Sequence, residues 1–202
     1  MIKIGIDFSI NSTALTINNN GIFTYYSFVP NYKKGIAKFK YHDLLQDFIT
    51  IKSYNKIENR KLKDKKSDDY ITEQTNKLIN ADNLSQVIID EIKMIKPDEI
   101  RIEGFSFGSK GNSFIDLIMF NSFLKLKLIQ TFGNILFIIS PKTLKKQFTG
   151  NGNANKTDMF NSFLLLNNKL SIKLKEYDIK EDIPKPLDDV IDSFALSIYN
   201  YN

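Results

Sequence analysis

Residues 1–29, MIKIGIDFSINSTALTINNNGIFTYYSFV, decide how this chain folds. From Ile2 to Phe8 apolar residues alternate with small or polar ones, the period-two pattern of a β-strand, and Asp7 stands near its end. A second β-prone run, Thr13 to Ile17, leads through Asn18-Asn19-Asn20-Gly21 into a third, Ile22 to Val29. Asn and Gly tolerate the positive φ angles of a tight turn, so two such runs around them form an antiparallel hairpin. The spacing predicts a three-stranded meander over residues 1–29.

Working outward, residues 30–69 break the pattern. They are rich in lysine and polar residues and carry Arg60-Lys61-Leu62-Lys63-Asp64-Lys65-Lys66. They read as an insertion or mobile lobe with a short helix near Asp43 to Ile49, and the basic run is either a solvated loop or a clamp on a DNA backbone. From about Asp69 to Ile95, Leu78, Leu84, Val87, Ile88, Ile92 and Ile95 recur at three- and four-residue spacing. That is a helix, ended by Lys96-Pro97-Asp98. Glu99 to Phe105 follows as a strand, Ser113 to Phe132 as a helix and Ile135 to Ile139 as a short apolar strand. After Pro141 come a short helix, a Gly/Asn-rich loop, a helix from about Thr157, a polar link, and a last helix from Leu187 to Tyr199. This order of strands and helices describes an α/β protein, a mixed five-stranded sheet with helices on both faces, in one domain over 1–202.

Composition removes several chemistries. The 202 residues are 42% hydrophobic and 25% charged, which suits one globular domain. There is no cysteine, so disulfides, thiolate nucleophiles and cysteine-ligated zinc are excluded, and His42 is the sole histidine. No apolar run is long enough to cross a bilayer. Met1 leads straight into a strand with no basic-then-apolar leader, so the expected location is intracellular, in the cytoplasm. The net charge is +5, from 28 basic and 23 acidic residues, and only Arg60 and Arg101 are arginine. Contact with a polyanion would fall to lysines, which suit phosphate backbones better than base edges.

The carboxylates carry the chemistry. Asp7 lies near a strand end and Glu103 inside an apolar strand, where a charge is costly unless paired or bound to a cation. Asp189 and Asp192, three apart, share one face of the last helix. The plainer readings are solvent-facing strand residues and acids complementing a helix N-terminus; the latter is accepted for Asp188. Four carboxylates from two strands and a helix could converge as hard oxygen ligands for two divalent cations, Mg²⁺ or Mn²⁺. Such a pair, about 3.5–4 Å apart, activates water and stabilises the leaving oxygen in phosphodiester hydrolysis. A second constellation, Lys145 to Lys156 (KKQFTGNGNANK), places a glycine-containing loop before a helix, where backbone N–H groups and lysines can meet a phosphate.

These residues resemble the RuvC family of Holliday-junction resolvases, within the ribonuclease H-like nucleases. The likeness rests on IGIDFSINSTALTI from Ile4, IRIEGFSF from Ile100, LKKQFTGNGNANKTDM from Leu144 and LDDVIDSFALSI from Leu187, in that order. It implies a ribonuclease H-like fold and a metal-dependent endodeoxyribonuclease cutting branched DNA, above all four-way junctions, in paired steps. It makes Asp7, Glu103, Asp189 and Asp192 the ligands of two Mg²⁺ ions, with Mn²⁺ able to substitute. It makes Lys156 the lysine near the scissile phosphate and Lys145 or Lys146 a second DNA contact. An aromatic stacking role falls beside Ser106, on Phe105 or, preferably, Phe107, with Lys110 carried along as a DNA contact.

The resemblance also implies a homodimer with two active sites. The helix from Ser113 to Phe132 is apolar on more than one face, which fits core on one side and a second subunit on the other, or a fully internal helix. Competing readings are a broader flap and fork debranching nuclease, a silent junction-binding module, and an actin-like or sugar-kinase ATPase. The last lacks its second phosphate loop and adenosine motif. The small size and Ile, Asn and Lys bias are compatible with a phage or viral source.

Overall fold

Asn20 and Gly21, at φ 51° and 87°, turn the hairpin between two strands that pair residue for residue from Thr13↔Phe28 to Asn19↔Ile22. In the computed structural model, described here over residues 1–9, 11–30, 45–58, 67–105, 112–166, 169–176, 183 and 185–200, this meander is the centre of a mixed sheet. β1 (Ile2–Asp7), β2 (Thr13–Asn19) and β3 (Ile22–Pro30) are antiparallel neighbours. β5 (Glu99–Glu103) runs parallel to β1, and β6 (Leu136–Ile139) parallel to β5.

Among the described residues the sheet has six strands where the sequence predicts five, β4 (Ile49–Tyr54) lying at one edge in the order β4-β3-β2-β1-β5-β6. The added strand is β4 (Ile49–Tyr54), parallel to β3 and inside the stretch read as an insertion. Its alternation is weak, but Ile49 and Tyr54 are buried and β3 offers a free edge, so tertiary pairing supplies what local pattern does not. The short helix expected near Asp43 to Ile49 lies partly outside the described residues, and from Ile49 onward the chain is strand. The basic run at 60–66 and His42 lie outside the described residues.

Two apolar layers sandwich the sheet. On one face Ile4, Ile6, Ile100 and Ile102 pack against α1 (Ser67–Lys93) and α2 (Asn112–Phe132) through Leu84, Ile88, Ile92, Phe120, Leu124 and Leu128. On the other, Ala14, Tyr25 and Ile139 meet α6 (Leu187–Ile198) together with α3 (Pro141–Thr149), α4 (Lys156–Leu164) and α5 (Lys169–Glu176). α5 falls in the stretch read as a polar link; it buries Leu170 and Leu174, a single i,i+4 pair among lysines. Among the described residues no helix is long and apolar enough to cross a membrane.

Candidate active site

Strand alternation fixes which face each acid occupies. Ile4 and Ile6 point to the α1/α2 layer, so Gly5 and Asp7 point to α6; Ile100 and Ile102 likewise leave Arg101 and Glu103 on the α6 side. β1 and β5 are parallel with Ile6 beside Ile102, which brings Asp7 level with Glu103 at the C-terminal edge of the sheet. That edge is where open α/β sheets form their ligand crevices.

α6 reaches this edge because three features let it lie against β1 and β2. A Cβ on Gly5 would stand 2.0 Å from the Ser193 carbonyl oxygen and 2.6 Å from the Ser197 nitrogen. Thr16 Oγ1 and Ser193 Oγ share a 2.7 Å hydrogen bond. The Arg101 side chain, 1% exposed, donates to the carbonyls of Leu196 and Ser197 at 3.3 and 3.2 Å and pairs with Glu99. A cation on the last carbonyls of a helix suits its dipole. So held, α6 presents its first two turns, with Asp188, Asp189 and Asp192, to Asp7 and Glu103.

The four expected carboxylates feel one another. Burial raises the Asp7 carboxyl well above its usual range, and Asp192, Asp189 and Glu103 push it further. Asp192 is pushed up to about 7, by burial first and then by Glu103, Asp189 and Asp188. Asp189 is raised by burial and Asp188, with Lys185 and Ser12 opposing, and Glu103 is raised by burial with Lys145 opposing. Like charges crowded where water is scarce favour protons or cations.

Lysines enter this field. Lys156, 73% exposed at the start of α4, donates to Asp188 Oδ2 at 2.6 Å. Of the two neighbouring candidates, Lys145 is the one whose charge acts on Glu103 and Asp192, and it donates to the Ala154 carbonyl at 2.8 Å; Lys146 is exposed. The loop before α4, read as a candidate phosphate cradle, uses several of its own N–H groups internally. The N–H groups of Asn151, Asn153, Ala154 and Asp158 are engaged by Thr149, Asn151 and Asn155, and Lys145 and Lys156 add positive charge beside them.

Sequence reading misses three participants. Asp188, read as an acid complementing the helix N-terminus, does stand in the first turn of α6, without a side-chain cap hydrogen bond; beyond that it is 7% exposed, binds Lys156 and Lys185, and leaves Oδ1 buried with no hydrogen-bond partner among the described residues. Lys185 binds Asp189 and, at 3.2 Å, Asp188. Ser12 donates to Asp189 Oδ2 at 2.7 Å. Lysine three and four residues before two acids is a readable signal; the Ser12 contact spans the chain and leaves none. Phe105 is half-buried, edge-on to Phe114 with ring centres 5.9 Å apart, and Lys125 Nζ sits 4.7 Å from its ring centre. Phe107 and Lys110 lie outside the described residues.

No family model matches the chain. It is 36% identical over 107 residues to a crossover junction endodeoxyribonuclease RuvC from Helicobacter hepaticus, covering 53% of this chain and 51% of that protein. It is 35% identical over 111 residues to the protein of the same name from Campylobacter hominis, covering 54% of this chain and 62% of that one. The chain thus spans about half to three fifths of the length of the curated relatives it matches. Among solved structures the fold matches Thermus thermophilus RuvC with a TM-score of 0.51 at 12% identity, over 98% of this chain and 91% of that one. It matches T. thermophilus RuvC in complex with a Holliday junction substrate with a TM-score of 0.50 at 9% identity, over 98% and 90% of the two chains. The yeast mitochondrial Holliday junction resolvase Ydc2 matches with a TM-score of 0.50 at 13% identity, over 96% of this chain and 75% of that one. The chain is thus similar in sequence to RuvC proteins over about half of its length, and its fold, over nearly all of it, is the ribonuclease H-like α/β fold of RuvC and Ydc2.

Proposed function

We propose that this chain is a divalent-metal-dependent endodeoxyribonuclease that resolves four-way DNA junctions by paired phosphodiester hydrolysis. It acts inside the cell as a homodimer, with residues 1–202 one nuclease domain and 30–69 its basic insertion. The observation that carries this reading is the common field of Asp7, Glu103, Asp189 and Asp192, brought from β1, β5 and α6 to one edge of a RuvC-like sheet. A protein that only bound DNA would gain nothing chemical from crowding acids there.

The donor set fits hard cations such as Mg²⁺ or Mn²⁺: every group is a carboxylate, all four are pushed toward protonation even with Lys185 and Lys145 opposing, and Asp188 Oδ1 is buried with no partner among the described residues. Among the described residues no three acids close on one point as a ready-made cage, and Lys185 supplies the counter-charge. Asp7, Glu103, Asp189 and Asp192 would hold two ions. When bound, such ions lower the pKa of water and neutralise charge on the phosphate and leaving oxygen. In the reaction, water oxygen bonds to phosphorus as it loses a proton, the bond to the 3′ oxygen breaks, and that oxygen takes up a proton to leave a 3′-hydroxyl and a 5′-phosphate. Lys156 and Lys145 hold the scissile phosphate against the acids, and Lys146, Phe105, Phe107 and Lys110 extend the DNA contact.

The dimer is supported by α2. One side packs on α1 and the sheet, but Ile115, Ile118, Leu126 and Ile129 are exposed on another, Ile115 by 64% and Leu126 by 56%. A stripe of this kind on a helix suits a second copy related by a two-fold axis.

The test is cleavage of an end-labelled immobile four-way junction with and without Mg²⁺, beside duplex, fork and flap, for the native protein and Asp7→Asn. Symmetric paired nicks that need Mg²⁺ and vanish in Asp7→Asn are expected. Equal cutting of forks and flaps would replace resolution by general debranching, and tight junction binding with no cutting in Mg²⁺ or Mn²⁺ would leave a binding module.

A further inference from the structure

Lys185 immediately precedes Pro186 and Leu187, both buried, which hold the chain at the start of α6. Its ammonium reaches two successive acids of that helix: it pairs with Asp189 Oδ1 and, at 3.2 Å, with Asp188 Oδ2. Among the described residues it is the lysine whose ammonium pairs directly with one of the four expected ligands. Lys156 pairs with Asp188 instead, and Lys145 donates to the Ala154 carbonyl.

The two oxygens of Asp189 have partners of different kinds. Oδ2 accepts the hydroxyl of Ser12 at 2.7 Å, a neutral and buried group that fixes the carboxylate without adding charge. Oδ1 meets a full positive charge on a flexible four-carbon stem, and the Lys185 side chain is 45% exposed. A divalent cation ligated by Asp189 would share the carboxylate with that ammonium, and like charges so close repel strongly where water is scarce. Lys185 and such a cation are therefore competitors for one acid. Asp188 Oδ2 already accepts the same ammonium, so Lys185 can release Asp189 and keep Asp188 while its backbone stays fixed. The charge of Lys185 is felt at Asp7 as well, so one ammonium offsets part of the repulsion within the whole cluster.

We propose that Lys185 is a tethered counter-ion of the candidate metal centre, resting on Asp189 and withdrawing to Asp188 when a divalent cation binds. Cation affinity is then set by competition with the chain itself. The inference rests on the metal-dependent reading above and adds to it a positioning residue that raises the cation concentration the site requires. The tether makes the competition effective, because a lysine three and four residues from its acids is present at high local concentration.

The test is calorimetric titration of Mn²⁺ into the full chain, freed of metal by chelation, for the native protein, Lys185→Met, Lys185→Arg and Lys156→Met. Lys185→Met should bind Mn²⁺ at least about fivefold more tightly, since apparent affinity is reduced by the fraction of sites left uncovered. Lys185→Arg keeps the charge and grips carboxylates with a planar fork, so it should bind no more tightly than native. Lys156→Met removes an equal charge from Asp188 alone and should change affinity by less than about twofold. Equal tightening in Lys156→Met, tightening in Lys185→Arg, or unchanged or weaker binding in Lys185→Met overturns the competition. Melting separates a lysine that is merely structural. Lys185→Met should lose stability in chelator, where the acids lack their counter-ion, and regain it in saturating Mn²⁺. A deficit of the same size in both conditions overturns the proposal. Junction cleavage in Mg²⁺ forms a separate arm. Cutting by the native protein with no change of Mn²⁺ affinity in Lys185→Met sinks the counter-ion alone, whereas competition without cutting removes the nuclease and keeps the counter-ion. No Mn²⁺ binding by the native protein removes both.

Discussion

Gly5→Ala is the most direct test of how the candidate site is built. The added Cβ would lie 2.0 Å from the Ser193 carbonyl oxygen, 2.6 Å from the Ser197 nitrogen and 2.9 Å from Leu196 Cβ, and real Cβ atoms essentially never come within 3.0 Å. Two of those neighbours are backbone atoms of α6, which cannot rotate aside, so the helix must retreat from β1 by at least about 1 Å. Overpacking of this kind typically costs about 1–3 kcal/mol, and a rigid backbone contact puts Gly5→Ala near the upper end. At about 2–4 °C per kcal/mol for a chain of this size, Tm should fall by roughly 6–12 °C. The retreat also carries Asp189 and Asp192 away from Asp7 and Glu103, and a misplacement of about 1 Å is worth about 100-fold in rate. Differential scanning fluorimetry and single-turnover junction cleavage at a temperature where both proteins are folded measure the two effects. Gly104→Ala, whose nearest contacts would be 3.4 Å, serves as the stability control and should shift Tm by only a few degrees. If Gly5→Ala melts within about 2 °C of native and cuts within about threefold, the close approach of α6 to β1 is not what assembles the acids.

The Asp192 carboxyl, pushed up to about 7 from 3.8, keeps a proton in the folded state that the unfolded chain releases, so metal-free stability should be highest below pH about 4 and fall as pH rises toward 7. Melting the metal-free protein across that range against Asp192→Asn isolates this slope; a stability that rises with pH by the same comparison would refute it. Because cations bind the charged form, Mn²⁺ affinity by titration calorimetry should rise with pH and level off above about 7. Arg101→Met leaves Glu99 and the α6 carbonyls without their fork and should cost roughly 3 kcal/mol in urea unfolding, with Arg101→Lys recovering little of it. Lys145→Ala should lower junction cutting by about 100-fold and Lys146→Ala by less than about threefold, measured side by side at saturating DNA. Ile118→Glu with Leu126→Glu should turn a dimer into a monomer by sedimentation velocity without loss of secondary structure.

The sequence by itself determined most of the local elements and singled out the acids of the candidate site. Alternation in β1, the Asn-Gly turn, the three- and four-residue spacing of α1 and the Asp189/Asp192 pair are short-range patterns, each enforced within one strand or one helical turn. It also set the chemistry available, because a chain without cysteine and with a single histidine offers a metal mainly oxygen ligands, which suit hard cations. Tertiary structure alone decided the rest. β4 exists because β3 has an edge to pair with, and α5 because Leu170 and Leu174 find a core. Lys145 rather than Lys146 meets the acids because one face of α3 turns inward. Asp188, Lys185 and Ser12 join the site through contacts set by where α6 comes to rest, and that position is set by Gly5, Thr16 and Arg101, which are distant from it in the chain. Periodicity records which way a side chain points from its own backbone. Which partner stands opposite is settled only when separate elements pack, by the fit of surfaces that share no sequence neighbourhood.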